Sequence, residues 1–266
     1  MKALAGNIRH SVSAWCYAHL YKDGPNQAAT MTFEEFCRVC ARMGLESVEL
    51  LGPDQWPAVR KAGLTCAMCR GPSSIDYGWN RVAHHEELLG YFEPALAEVA
   101  LNGFPNIVTF SGLRKGLSDE QGLEACVRGL KRLAPMAERH GVTVMVELLN
   151  SKVDHPDYMA DHTAWGVELC RRVGSERVKL LYDIYHMQVM EGDLLRTIAA
   201  ASPYIGHYHT GGNPGRGEID DTQEIYYPAV MRAILATGYR GFVGQEFIPK
   251  RDALHSLREA IAICDI

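Results

Sequence analysis

Four side chains capable of binding a cation or moving a proton stand at equivalent places in the chain. Glu147, Asp183, His209 and Glu246 each close a short, mostly apolar run: Val142-Thr-Val-Met-Val-Glu147, Val178-Lys-Leu-Leu-Tyr-Asp183, Ile205-Gly-His-Tyr-His209 and Phe242-Val-Gly-Gln-Glu246. A charge beside an apolar core is costly unless something offsets it. One such carboxylate can be a satisfied ion-pair partner; four candidate ligands on consecutive runs argue for a shared divalent cation. Three carboxylates and one imidazole form an oxygen-dominated set. Such a set suits Mn²⁺ or Mg²⁺, with Co²⁺ also compatible, better than a thiol-preferring zinc site.

The four tips meet only if their runs are parallel strands whose C-terminal ends share a face. Strand-like runs at 9–14, 47–51, 65–69, 106–110, 143–148, 178–182, 204–209 and 241–246 alternate with helical patterns at 32–43, 56–62, 81–101, 119–139, 156–173, 193–201, 225–237 and 252–263. Strict alternation predicts parallel strands with helical crossovers. Eight such units in 266 residues predict an α/β fold, a single-domain (β/α)8 TIM barrel over residues 1–266, with its active site at the C-terminal strand ends. Helix-end signals agree: Thr32 with Glu35 and Ser118 with Gln121 have capping-box spacing. Gly44, Gly141, Gly174 and Gly238 fall just past helix ends. An open doubly wound sheet is the alternative, but residues 19–24 lack the Gly-rich fingerprint expected after its first strand. The small, polar stretch 22–30 predicts a mobile loop.

Composition narrows the partners. With 27 basic and 32 acidic residues the net charge is −5, which argues against nucleic acid or an anionic membrane surface as the main partner. No run approaches the roughly 18 apolar residues of a membrane span, and residues 1–10 lack the apolar stretch of a secretory signal, so the expectation is a cytoplasmic protein. Eight cysteines include two CxxC pairs, Cys37 with Cys40 and Cys66 with Cys69. The first pair lies on one face of a helical pattern and the second in a strand-like run without a knuckle glycine, so both read as small buried thiols. Cys16, Cys126, Cys170 and Cys264 are scattered singly. Reduced cysteines are expected.

Several stretches carry a resemblance. Glu147-Leu-Leu-Asn-Ser151, Tyr182-Asp-Ile-Tyr-His-Met-Gln188, Asn213-Pro-Gly-Arg216 and Gly238-Tyr-Arg-Gly-Phe-Val-Gly-Gln-Glu-Phe247 resemble hydroxypyruvate isomerases of the xylose-isomerase-like barrel superfamily, which also holds the ketose 3-epimerases. The likeness covers most of the chain and is most specific between Glu147 and Phe247. It implies that Glu147, Asp183, His209 and Glu246 are metal ligands, that Glu147 and Glu246 are the acid–base pair, and that His186 and Arg216 contact substrate. One position departs: the third ligand of hydroxypyruvate isomerases is often Gln, whereas His209 is the epimerase choice.

The expected chemistry follows. Moving a carbonyl between adjacent carbons needs a base for the α-proton, an electrophile for the enediolate, and an acid to return the proton. Two glutamates and a metal can supply all three. The leading expectation is therefore a metal-dependent isomerase interconverting hydroxypyruvate and tartronate semialdehyde, with a small keto acid or keto-sugar as partner and pairing into a homo-oligomer compatible with the fold. A guanidinium at Arg216 would clamp a substrate carboxylate, and His186, placed on the loop after Asp183, would bond a substrate oxygen or orient Asp183. The rivals are a ketose 3-epimerase using the same apparatus, an abasic-site endonuclease-like barrel, which would need more metal-binding histidines and a basic groove, and a non-catalytic sugar-binding barrel. Glu49 inside the second strand, Trp15 ending the first and Asn150 beyond Glu147 are further candidates. His84 and His85 read as solvent-facing, and Arg114 and Lys115 as a solvated loop. Residues 210–217 lack the order of a phosphate-binding P-loop, and no serine-hydrolase elbow is present.

Overall fold

Apolar runs with buried positions on both faces form short parallel strands here. They are β1 Arg9–Ser13, β2 Ser47–Glu49, β3 Asn106–Thr109, β4 Thr143–Leu148, β5 Val178–Asp183, β6 Ile205–Thr210 and β7 Phe242–Gln245. The helices are α1 Ala18–Tyr21, α2 Phe33–Arg42, α3 Trp56–Lys61, α4 His85–Leu101, α5 Asp119–His140, α6 Thr163–Val173, α7 Ile184–Met190, α8 Leu194–Ala201, α9 Tyr227–Ala236 and α10 Ala253–Cys264. The computed structural model describes residues 4–23 and 28–266. Part of the predicted mobile loop, residues 24–27, lies outside the described residues.

The chain divides into two compact units, Met1–Ala67 with Tyr208–Ile266, and Met68–His207. In the first unit the strands run in the order β2-β1-β7-β6, all parallel, with Ser11 opposite Ser47 and Gly244, and Gly244 opposite His209. The second unit carries β5-β4-β3, also parallel, with Glu147 opposite Leu181. Helix boundaries follow the sequence signals. Thr32 and Ser118 each make a full capping box, with Glu35 and Gln121 reaching back to the cap. Gly141 and Gly174 close α5 and α6 in the left-handed conformation that a side chain resists.

Three expectations change. The predicted strand 65–69 survives only as single parallel bridges, Thr65 with Ser47 and Cys69 with Ile107; Ala67 N–H donates to the Ser47 hydroxyl at 2.8 Å instead of to a strand backbone. The helix expected from residue 156 starts at Thr163, because the preceding segment pairs with residues 112–114. Met159 N–H donates to Gly112 O, Arg114 N–H donates to Asp157 O, and Leu113 bridges Tyr158. His85 is buried, 2.9 Å from Trp79 O through Nε2, rather than solvent-facing, while His84 stacks on Tyr77.

All eight cysteines are buried. Burial pushes the Cys37 and Cys170 thiols up to about 12, far from the thiolate form that binds metals. No helix among the described residues is long and apolar enough to cross a membrane.

Candidate active site

In the first unit, β2 ends on Glu49, β6 carries His209, and Glu246 directly follows β7. All three side chains are buried. Glu246 is gripped from several sides. Its Oε1 accepts the indole N–H of Trp15 at 2.7 Å, while Oε2 lies 2.6 Å from Arg216 Nη2 and 2.7 Å from His209 Nδ1. Arg216 also donates through Nε to the main-chain oxygen of Glu246 at 3.2 Å, and its guanidinium sits 5.5 Å from the Trp15 ring centre. Burial opposes ionisation of Glu246. The charges of His209 and Arg216, with hydrogen bonds from His209 and Trp15, outweigh it and hold the carboxyl well below its usual range.

Arg216 stands in the left-handed region at φ 53, unfavourable for a non-glycine residue. Its loop is fixed by Gly212 N–H to Gly217 O and by Ile248 N–H to Arg216 O. Arg216 is thus seated on Glu246 and only 12% exposed, not a solvated loop arginine. A substrate carboxylate would share that guanidinium with Glu246.

The second unit places Glu147 near the end of β4 and Asp183 at the end of β5, both buried. Asp183 also caps α7, its carboxylate accepting His186 N–H at 3.0 Å. His186 therefore lies in a helix the sequence did not announce, not on a loop. Asn150 fixes its ring. The Asn150 carbonyl accepts from Val153 and Asp154 N–H, so Nδ2 is the donor; it lies 2.6 Å from His186 Nδ1 and 2.7 Å from Asp154 Oδ2. Tyr185 OH donates to the same Asp154 oxygen. With Nδ1 accepting, the imidazole proton sits on Nε2, 3.7 Å from Asp183 Oδ2.

Among the described residues, each unit offers buried side chains able to hold a metal ion: Glu49, His209 and Glu246 in the first, and Glu147 and Asp183 in the second. The donor chemistry fits a divalent cation. His209 Nδ1 and Glu246 Oε2 face each other at 2.7 Å, an approach that needs a proton or a metal ion between them to be favourable. Of the residues singled out in the sequence, Arg114 is tied to Asp119 and Asp161, and Lys115 is bound through its backbone to Asp157. The Trp15–Glu246 and Asn150–His186 contacts carried no local signal.

Parallel strands that end in buried carboxylates and imidazoles define an α/β enzyme architecture. The chain belongs to the xylose isomerase-like TIM barrel family, whose family model matches residues 37–264. It is 35% identical over 143 residues to hydroxypyruvate isomerase of Escherichia coli, an alignment covering 54% of this chain and 55% of that protein. It is 31% identical over 157 residues to 2-oxo-tetronate isomerase of Cupriavidus necator, covering 59% of this chain and 60% of that protein. The chain thus matches a little over half the length of these relatives. The crystal structure of an AP endonuclease, family 2, from Brucella melitensis superposes with a TM-score of 0.79 at 25% identity, covering 94% of this chain and 97% of that one. The relatives' names support an isomerase.

Proposed function

We propose that the protein is a metal-dependent isomerase that interconverts hydroxypyruvate and tartronate semialdehyde through an enediolate. Glu147, Asp183, His209 and Glu246 would hold the ion, Mn²⁺ or Mg²⁺ by donor preference and Co²⁺ by tolerance. The observation that carries the reading is that the parallel strands end on buried ligand-capable side chains, His209 and Glu246 in one unit and Glu147 and Asp183 in the other, in a chain similar to named keto-acid isomerases. When bound, the ion would polarise the substrate carbonyl and offset charge developing on oxygen.

The protein's own groups do the rest. Glu147 and Glu246 are the proton-transfer pair, one removing the α-proton and the other returning a proton to the neighbouring carbon. Arg216, already beside Glu246, positions that carboxylate and offers a guanidinium to the substrate carboxylate. His186, its Nδ1 occupied by Asn150, presents an Nε2–H to a substrate oxygen.

The second reading is a ketose 3-epimerase with the same apparatus, favoured by His209 in place of the Gln common in hydroxypyruvate isomerases. A four-carbon 2-oxo acid extends the first reading, following the Cupriavidus relative. The test is solvent-deuterium incorporation into hydroxypyruvate, 2-oxo-tetronate and a panel of free ketoses. The metal-stripped protein is assayed after restoring Mn²⁺, Mg²⁺ or Co²⁺. Exchange into the keto acids, abolished in Glu147→Gln and Glu246→Gln while metal binding persists, is the expected result. Exchange confined to ketoses refutes the keto-acid assignment, and near-wild-type exchange in both variants removes the glutamate pair from the chemistry.

A further inference from the structure

We propose that Glu49 is the positioning residue for His209, fixing its tautomer so that Nδ1 is the nitrogen offered to the metal; this rests on the metal site proposed above. Glu49 is the last residue of β2 and has no solvent exposure. Its Oε2 accepts the Ser11 hydroxyl at 2.6 Å, and its Oε1 lies 2.8 Å from His209 Nε2. An ionised carboxylate can only accept hydrogen bonds, so Glu49 keeps a proton on Nε2, and Nδ1 is the nitrogen left to an ion when one is bound. That nitrogen is the one 2.7 Å from Glu246 Oε2, on the side of the proposed ion. A carboxylate behind a ligating histidine fixes ring orientation and raises ligand basicity.

An independent feature shows that the fold makes room for this pair. Gly244 lies inside β7, opposite Ser11 on one side and His209 on the other. A Cβ on Gly244 would come 2.2 Å from Glu49 Oε1 and 2.9 Å from His209 Cδ2. Glycine inside a strand gives up packing and often marks a close approach of another group; here the group is the Glu49 carboxylate. Ser11, Glu49, Gly244 and His209 thus form one crossing line through neighbouring strands, ending on a metal-ligand nitrogen. The competing use of Glu49 is as a ligand itself, beside His209, and stoichiometry separates the two.

The experiment titrates Mn²⁺ into metal-free protein by calorimetry and reads the His209 tautomer by long-range ¹H–¹⁵N correlation before metal is added. Wild-type protein is expected to bind one Mn²⁺ and to show His209 protonated on Nε2. Glu49→Ala should keep the stoichiometry, weaken Mn²⁺ binding about 10- to 100-fold, and lose the single tautomer. Glu49→Gln, whose amide oxygen still accepts from Nε2, should keep the tautomer and fall between wild type and Glu49→Ala in affinity. Gly244→Ala, which leaves both partners chemically intact, should weaken binding in the same direction. If Glu49→Ala does not fold, Glu49→Gln and Gly244→Ala carry the test. Affinities within about twofold of wild type in the folded variants, or an Nδ1–H tautomer in the wild type, overturn the proposal. So does a wild-type stoichiometry of two that drops to one in Glu49→Gln, which would make Glu49 a ligand. A wild type that binds none of Mn²⁺, Mg²⁺ or Co²⁺ while His209 shows the expected tautomer refutes the metal-dependent reading, not the Glu49–His209 link.

Discussion

Replacing Arg216 with methionine isolates the contact that ties the loop after β6 to the residue after β7. The Arg216 and Glu246 side chains are 12% and 3% exposed, with Nη2 2.6 Å from Oε2, so screening by water is slight. A hydrogen bond to a charged group contributes about 1.5–3 kcal/mol. The larger loss of about 3–5 kcal/mol, typical of an orphaned buried charge, does not apply, because Trp15 and His209 still hold Glu246. The expected loss of about 1.5–3 kcal/mol corresponds to a Tm lower by about 3–12 °C for a chain of this size. The decisive assay is a double-mutant cycle by calorimetry with Arg216→Met, Glu246→Gln and the double variant. In the Gln background the guanidinium faces a neutral amide, so its removal should cost much less, giving a coupling of about 1 kcal/mol or more. Additivity within about 0.5 kcal/mol would falsify the ion pair as the reason Arg216 sits where it does. In turnover the same variant should lower kcat for every substrate as well as raise KM for a carboxylate, because Arg216 acts on Glu246 and not on substrate alone.

Three further outcomes follow from groups away from the site. Burial works against the charge on Asp161, yet Arg114, Ser151 and His162 hold its carboxyl below the usual range. Its stabilising contribution is complete above the unfolded value of about 3.9 and is lost as pH falls through the lower folded value. Asp161→Asn should therefore lower Tm at pH 7 and flatten the acid limb of a Tm–pH curve; an unchanged limb rules that role out. His10 runs the other way. Burial lowers its pKa, against the attraction of Asp265, so the fold holds it neutral. Stability from this site is full above about pH 6.5 and declines as pH drops toward the folded value, where the unfolded chain takes up the proton first. His10→Leu should shrink the Tm difference between pH 7 and pH 5, and a difference equal to wild type would show the loss arises elsewhere. Ser118→Ala removes the acceptor for Gln121 N–H at the start of α5 and should cost about 1 kcal/mol by urea denaturation, with no cost counting against the cap.

The strands and the residues that end them could be read from the sequence because both are local. Alternation of apolar runs and helical faces placed seven strands and most helix starts, and the same pattern put Glu147, Asp183, His209 and Glu246 at strand ends. What could not be read was set by distant backbone. The run at 65–69 had strand composition, yet Ala67 bonds a serine side chain. The helix pattern from 156 lost its first turns to pairing with residues 112–114. His85, beside a polar helix start, turned inward to Trp79. In each case propensity was right about the residue and wrong about its partner.

The partners that shape the site were hidden for a different reason. Glu49 and His209 are 160 residues apart, and Trp15 and Glu246 are 231 apart, so no window of sequence contains either contact. A signal did exist: Ser11 and Glu49 are polar residues on buried strand positions, where an apolar side chain would pack at less cost. Burying a carboxylate there is tolerable only because two donors meet it, and a donor on a ring whose other nitrogen faces a second carboxylate cannot rotate away without leaving both unmet. The cost of Glu49 is thus a constraint on His209. Residues that are expensive in a strand and useless at the surface of the site are the ones to trace inward from the ligands, because their energy is recovered only in the geometry they enforce.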